Sequence, residues 1–103
     1  MRTPVCELLG IEHPIVQAPM AAIPQLAAAV SNAGALGMVT LTWSDDTGAL
    51  VRETAKLTER PFGGNLVLTE DHHRRLDQAL EAGLRIASFM WGDPSGYVEP
   101  AKK

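Results

Sequence analysis

Chemistry has few places to reside in this sequence. His72 and His73 adjoin in "DHHRRLDQ", a stretch of helical pattern, where successive residues stand about 100° apart around the axis. They cannot ligate one ion together from a regular helix. With Arg74 and Arg75 they read as a solvated face, and no metal site is expected. His13 precedes Pro14 ahead of an apolar run, a position that fits packing or a turn. The single cysteine, Cys6, excludes an internal disulfide and reads as a plain buried or half-exposed thiol. What remains lies where apolar runs end. "HPIVQAPMA" breaks off at Pro19, which removes a backbone donor and bends the chain, and at Met20. Met20 is a polarizable side chain that can fill core or lie against a flat ring, and Ala21 and Ala22 leave the backbone approachable. Asn65 interrupts the apolar "FGGNLVL" and needs hydrogen-bond partners, in the protein or in a ligand. Trp91, directly after "LRIASFM", can line a pocket or cover a mouth.

The elements that position these residues follow from hydrophobic period. Four short apolar runs read as strands: Ile15 to Gln17, Ala35 to Thr40, Phe62 to Leu68 and Leu84 to Met90. Helical patterns separate them. The first is Pro24 to Ala33, ended by Gly34 in the left-handed position. The second is "TGALVRETAKLTER", capped by Ser44, Asp45 or Asp46 and stopped by Pro61. The third starts from a Thr69 cap, carries Leu76, Ala79 and Leu80 on its apolar stripe, and stops at Gly83. "WGDPSGYVEPAKK" begins a further loop and helix. Strand-helix-strand repeats at this spacing form right-handed crossovers and a parallel sheet. The expected class is therefore α/β, with about four parallel strands and three helices. A doubly wound sheet and a (β/α)₈ barrel both fit the periodicity. Either way, functional residues collect where strands end and helices begin: 18–21, 40–43, 65–68 and 90–93.

Composition narrows the classes. The chain has 103 residues, 46% hydrophobic and 20% charged, so it can bury a core. A net charge of −3 and only five aromatics (two Trp, two Phe, one Tyr) give no electrostatic reason for nucleic acid or an anionic membrane. No apolar run approaches a spanning helix, so a cytoplasmic protein is the expectation. No Gly-x-Gly-x-x-Gly follows the first strand, which counts against an ordinary dinucleotide-binding unit, and no phosphate-cradling Gly-x-x-x-x-Gly-Lys occurs.

Taken in order, "ELLGIEHPIVQAPMA", "PQLAAAVSNAGALGMV", "LTERPFGGNLVL" and "ASFMWGDPSGYV" resemble the nitronate monooxygenase family, formerly called 2-nitropropane dioxygenases, which includes flavin-dependent enoyl reductase relatives. The resemblance runs from Glu7 to Val98. It implies a flavoprotein with a (β/α)₈ TIM barrel, FMN at the C-terminal ends of the strands, and oxidation of an alkyl nitronate with O₂. By the same resemblance Pro19, Met20, Ala21, Asn65 and Val67 contact the cofactor, while Trp91 and Gly92 shape the substrate side. Two features differ from the commoner family pattern: Ala-Pro-Met, which also occurs in the family, stands where many relatives have Gly-Gly-Met, and Gly64 stands where valine is usual.

The family's catalytic histidine and phosphate-binding glycine loops have no counterpart here, so no catalytic residue is assigned. Residues 1–103 are read as the N-terminal half of such a barrel domain, expected to bind FMN weakly and not to turn over alone. Its raw sheet edges make homo-oligomerisation an expected outcome. Two rival readings remain. One is an NAD(P)H-dependent flavin or enoyl-thioester reductase on the same barrel; the other is a non-enzymatic half-barrel assembly module.

Overall fold

The computed structural model describes residues 3–69 and 71–102. Its elements run α1 (Pro4–Leu9), α2 (Pro24–Asn32), β1 (Gly37–Thr40), α3 (Thr47–Leu57), β2 (Phe62–Val67), α4 (His73–Glu81), β3 (Ile86–Met90) and α5 (Ser95–Ala101). The strands form one parallel sheet in the order β1-β2-β3. Parallel pairing needs a crossover between neighbours, and α3 and α4 supply the two crossovers.

The sheet has two unlike faces because strand side chains alternate. One face carries Val39, Leu41, Leu66 and Leu84, which pack with Ala27 of α2, Leu50 and Val51 of α3, Leu76 and Ala79 of α4 and Tyr97 of α5. Each fully buried leucine among them contributes about 2 kcal/mol relative to exposure. The opposite face carries Met38, Leu36 and Ile86, and only Cys6, Leu9 and Ile11 from the N-terminal segment pack against it. Helices α2 to α5 thus lie on the same side. A doubly wound sheet would divide them between both faces, whereas a barrel keeps its helices outside and side chains within. The arrangement is a sector of a (β/α)₈ barrel.

Close approach of helix to sheet is written in small residues. A Cβ on Gly37 would lie 1.9 Å from the Ala27 carbonyl oxygen, so α2 can sit on β1 only over glycine. Ser31, fully buried, fixes the same contact: its hydroxyl donates to the Pro61 carbonyl at 2.8 Å and accepts from the Gly37 N–H at 2.9 Å. Gly64 faces Leu41 and Leu84; a Cβ there would come within 2.9 Å of Leu41 Cδ1. Asp46 is the side chain that caps α3, its Oδ1 accepting from the Ala49 N–H at 2.9 Å.

Four details differ from the sequence reading. The Ile15–Gln17 run is not a continuous strand: it makes one parallel bridge, Val16 to Leu36, with Gln17 N–H donating to Leu36 O at 2.9 Å. Prolines at 14 and 19 remove donors on both sides, and Ile15 and Val16 remain exposed. Helix α1 carries no periodic signal in the sequence because six residues hold under two turns. Helix α4 starts at His73, and its N-cap, His72, lies three residues beyond the expected Thr69 cap. His72 itself is buried at 3% exposure rather than part of a solvated face, because its N-cap position lets Tyr97 of α5 cover it. Gly34 does take the left-handed conformation, at φ 100°. No helix among the described residues is long and apolar enough to cross a membrane.

Candidate functional site

The inner face of the sheet changes character along the strands. At the strand N-termini it is an apolar plug of Cys6, Ile11, Leu36 and Met38. Toward the C-termini it turns polar. Register places Thr40 of β1 beside Asn65 of β2, and Asn65 beside Ser88 of β3, so the three form one row across the sheet. Asn65 is 1% exposed, and its Oδ1 accepts from the Ser88 hydroxyl at 2.8 Å. Its Nδ2 is buried with no hydrogen-bond partner among the described residues. An orphaned buried amide donor costs about 1–3 kcal/mol, so it marks a place where a partner is wanted.

The row continues into the first segment through the backbone, where Thr40 N–H donates to Ala21 O at 3.2 Å. Just before it, Met20 N–H closes a tight turn onto Ala18 O at 2.8 Å, with Pro19 at its centre. That turn throws the Met20 side chain outward, 82% exposed. On the other side, Val67 N–H donates to the Thr42 hydroxyl at 3.0 Å, and Leu68 N–H to Met90 O at 2.8 Å.

Beyond Met90 the chain turns sharply. Trp91 has φ 56°, and it is the one non-glycine residue in the left-handed region among those described. A bulky residue held there stores about 1–3 kcal/mol of strain, a pattern that clusters at ligand sites. Its indole is 74% exposed. Gly92 follows because a Cβ at that position would lie 2.6 Å from both Leu68 O and Leu68 Cβ. Asp93 then accepts from Ser95 N–H at 2.9 Å, a bond that holds its carboxyl below the usual carboxylate range and sets the start of α5.

The structure thus brings Ala21, Asn65 and the Trp91–Gly92 turn to the C-terminal ends of adjacent segments, with Pro19, Met20 and Val67 on the same rim. Sequence reasoning missed Ser88, whose serine type carries no signal until register sets it against Asn65. At the 40–43 strand end, Thr40 and Thr42 hold the hydrogen bonds to Ala21 and Val67, while Trp43 is 76% exposed. The histidines lie elsewhere. His73 is an exposed partner of Asp71, and no group of three potential metal ligands occurs among the described residues. A separate cavity of about 200 Å³, lined in part by Arg60, Pro61, Phe62 and Arg85, lies at the opposite, N-terminal ends of β2 and β3.

One-sided helices, a plugged lower face and a polar Thr40–Asn65–Ser88 row define a sector of a (β/α)₈ barrel. The chain belongs to the nitronate monooxygenase family, whose sequence pattern matches residues 2–94. It is 54% identical over 63 residues to the nitronate monooxygenase of Pseudomonas aeruginosa, covering 57% of this chain and 18% of that protein. It is 37% identical over 95 residues to (3aS,4S,5R,7aS)-5-hydroxy-7a-methyl-1-oxo-octahydro-1H-indene-4-carboxyl-CoA dehydrogenase of Rhodococcus jostii, covering 86% of this chain and 27% of that protein. Among solved structures, FabK from Thermotoga maritima matches with a TM-score of 0.91 at 36% identity, over 99% of this chain and 34% of that one. Nitroalkane oxidase from Streptomyces ansochromogenes matches with a TM-score of 0.66 at 25% identity, over 84% of this chain. The chain therefore spans about a quarter of the length of the dehydrogenase and about a third of FabK.

Proposed function

We propose that the protein is an FMN-dependent oxidoreductase whose intact form oxidises alkyl nitronates with O₂, and that these residues build one wall of its flavin site. The observation that carries the reading is the buried, unpartnered Nδ2 of Asn65 at the strand ends of a nitronate monooxygenase family member. The residue types present fit a flavin. Asn65 offers a donor to a polar ring edge, with Ser88 fixing which way its amide points. Met20 offers a polarizable surface to a flat ring. The backbone at Pro19, Ala21 and Val67 forms the rim between them, and Trp91 and Gly92 face the substrate side. The flavin, when bound, supplies the electron transfer between substrate and O₂, while the protein positions it and tunes its electronics.

The Thr40–Asn65–Ser88 row contains no histidine, cysteine or carboxylate, so these side chains bind and orient rather than move a proton at neutral pH. The 103-residue segment alone, with no candidate for a phosphate-binding glycine loop or for the family's catalytic histidine, is expected to hold FMN weakly and to show no turnover. The test is O₂ uptake with an alkyl nitronate by the intact, flavin-loaded protein. Nitronate-dependent uptake supports the reading. A flavin-loaded protein that leaves nitronates untouched contradicts the reaction, and a protein that takes up no flavin contradicts the site.

A second reading keeps the wall and changes the reaction. The 37% identity to a protein named as a carboxyl-CoA dehydrogenase favours a CoA-thioester substrate. NAD(P)H oxidation that depends on an enoyl thioester, without nitronate oxidation, would select this alternative. The small-molecule partners under the first reading are a nitronate and O₂. Self-association through the exposed β3 edge is the expectation for the isolated segment.

A further inference from the structure

A charged cluster outside the candidate site joins α4 to α5. The His73 ring has an acceptor at each nitrogen: Asp71 Oδ1 lies 2.6 Å from Nδ1, and the Gly96 carbonyl oxygen lies 3.3 Å from Nε2. Neutral imidazole carries one proton and can donate to only one of these. The imidazolium donates to both. The same ring stacks on Tyr97 of α5, with centroids 4.1 Å apart and planes 11° from parallel, an arrangement that also favours a positive ring. Asp71 is thereby tied to the start of α4 and Gly96 and Tyr97 to α5. Four residues before Gly96, Gly92 packs against Leu68, and Trp91 holds its left-handed turn.

We propose that doubly protonated His73 is a pH-operated latch that pins α5 to α4 and so holds the Trp91–Pro94 turn in place at the strand ends. The titratable groups around the ring are Asp71 from the preceding loop, Asp77 from its own helix and the Tyr97 phenol from α5. The bond to Asp71 is the main cause that raises the His73 pKa above 6.5, and His73 in turn lowers that of Asp71. A raised folded-state pKa fixes the sign. The contribution is fully present below the ordinary imidazole value and is lost as pH rises through the raised one. A second α4–α5 contact, His72 N–H to the Tyr97 hydroxyl at 3.1 Å, involves a backbone donor and leaves α5 tethered when the latch releases.

Amide hydrogen exchange of the intact protein tests the latch, with protection factors for Tyr97 and Val98 compared with those of α3 between about pH 5.5 and 8.5. Protection in α5 is expected to fall about two- to fivefold across that window, the scale of an exposed ion pair, while α3 stays level. His73→Gln should flatten the α5 profile at its high-pH value, and Asp71→Asn should move the step to lower pH. A wild-type α5 profile that is flat, or a step that survives in His73→Gln, overturns the proposal. Because α3 reports folding in the same spectra, a variant that fails to fold is recognised there, and Asp71→Asn then decides alone.

Discussion

Asn65 is the residue on which the site turns, because its two ends have different fates. Oδ1 is taken by Ser88, and Nδ2 is buried with no partner among the described residues. Under the proposed reading Asn65→Ala removes a donor to the flavin, and it is expected to weaken FMN binding about tenfold, the scale of one good hydrogen bond. Fluorescence titration of FMN against the intact variant checks it, and unchanged affinity would remove Asn65 from the site. Trp91 makes the opposite bargain, since its backbone is strained and its indole is mostly in solvent. Trp91→Gly should therefore leave stability unchanged or raise it by up to about 1 kcal/mol, while lowering activity. A urea midpoint that falls by more than that would show the indole to be structural. Asn65 was legible in sequence as a polar interruption of an apolar run. Ser88 was not, because its role comes from a pairing between chain segments 23 residues apart. His72 misled because two adjacent histidines read alike until the helix start separates a buried N-cap from an exposed first-turn residue.

The elements are held against one another by a few close contacts that no side-chain volume can replace. Ser31→Ala leaves the Gly37 N–H without its acceptor and Pro61 O without its donor, and should cost about 2–3 kcal/mol. Gly37→Ala forces α2 off the sheet, because a Cβ would sit 1.9 Å from Ala27 O, and should cost about 3 kcal/mol or more. Chemical denaturation of both variants reads these losses as shifts of the midpoint. A wild-type midpoint in either would mean that α2 packs farther from β1 than the structure shows. The helices α2 to α4 and the strands β1 to β3 were legible because their periods are long enough to be unambiguous. Helix α1 was too short for any period, and the first strand was over-read from its β-branched residues. Its flanking prolines reduce it to a bridge. Periodicity also could not choose between a doubly wound sheet and a barrel, since both repeat strand and helix. The choice came from α2 to α5 sharing one face, a property of three-dimensional order alone.

At the scale of the whole molecule the sector is finished on its helix side and open on its inner side. The lower inner face is plugged by Cys6, Ile11, Leu36 and Met38, whereas Met20, Trp43 and Trp91 stand in solvent. The 103-residue segment on its own should therefore self-associate as concentration rises, and light scattering that reports a monodisperse monomer throughout would contradict this. The family was readable from four sequence stretches in order. The central claim is that the C-terminal rim of this sector is a flavin wall, and amide NMR spectra recorded during an FMN titration test it most directly. Perturbations should concentrate at Met20, Ala21, Asn65, Val67 and Gly92. Perturbations at the opposite ends of the strands around Arg60 and Arg85, or none at any FMN concentration, would contradict it.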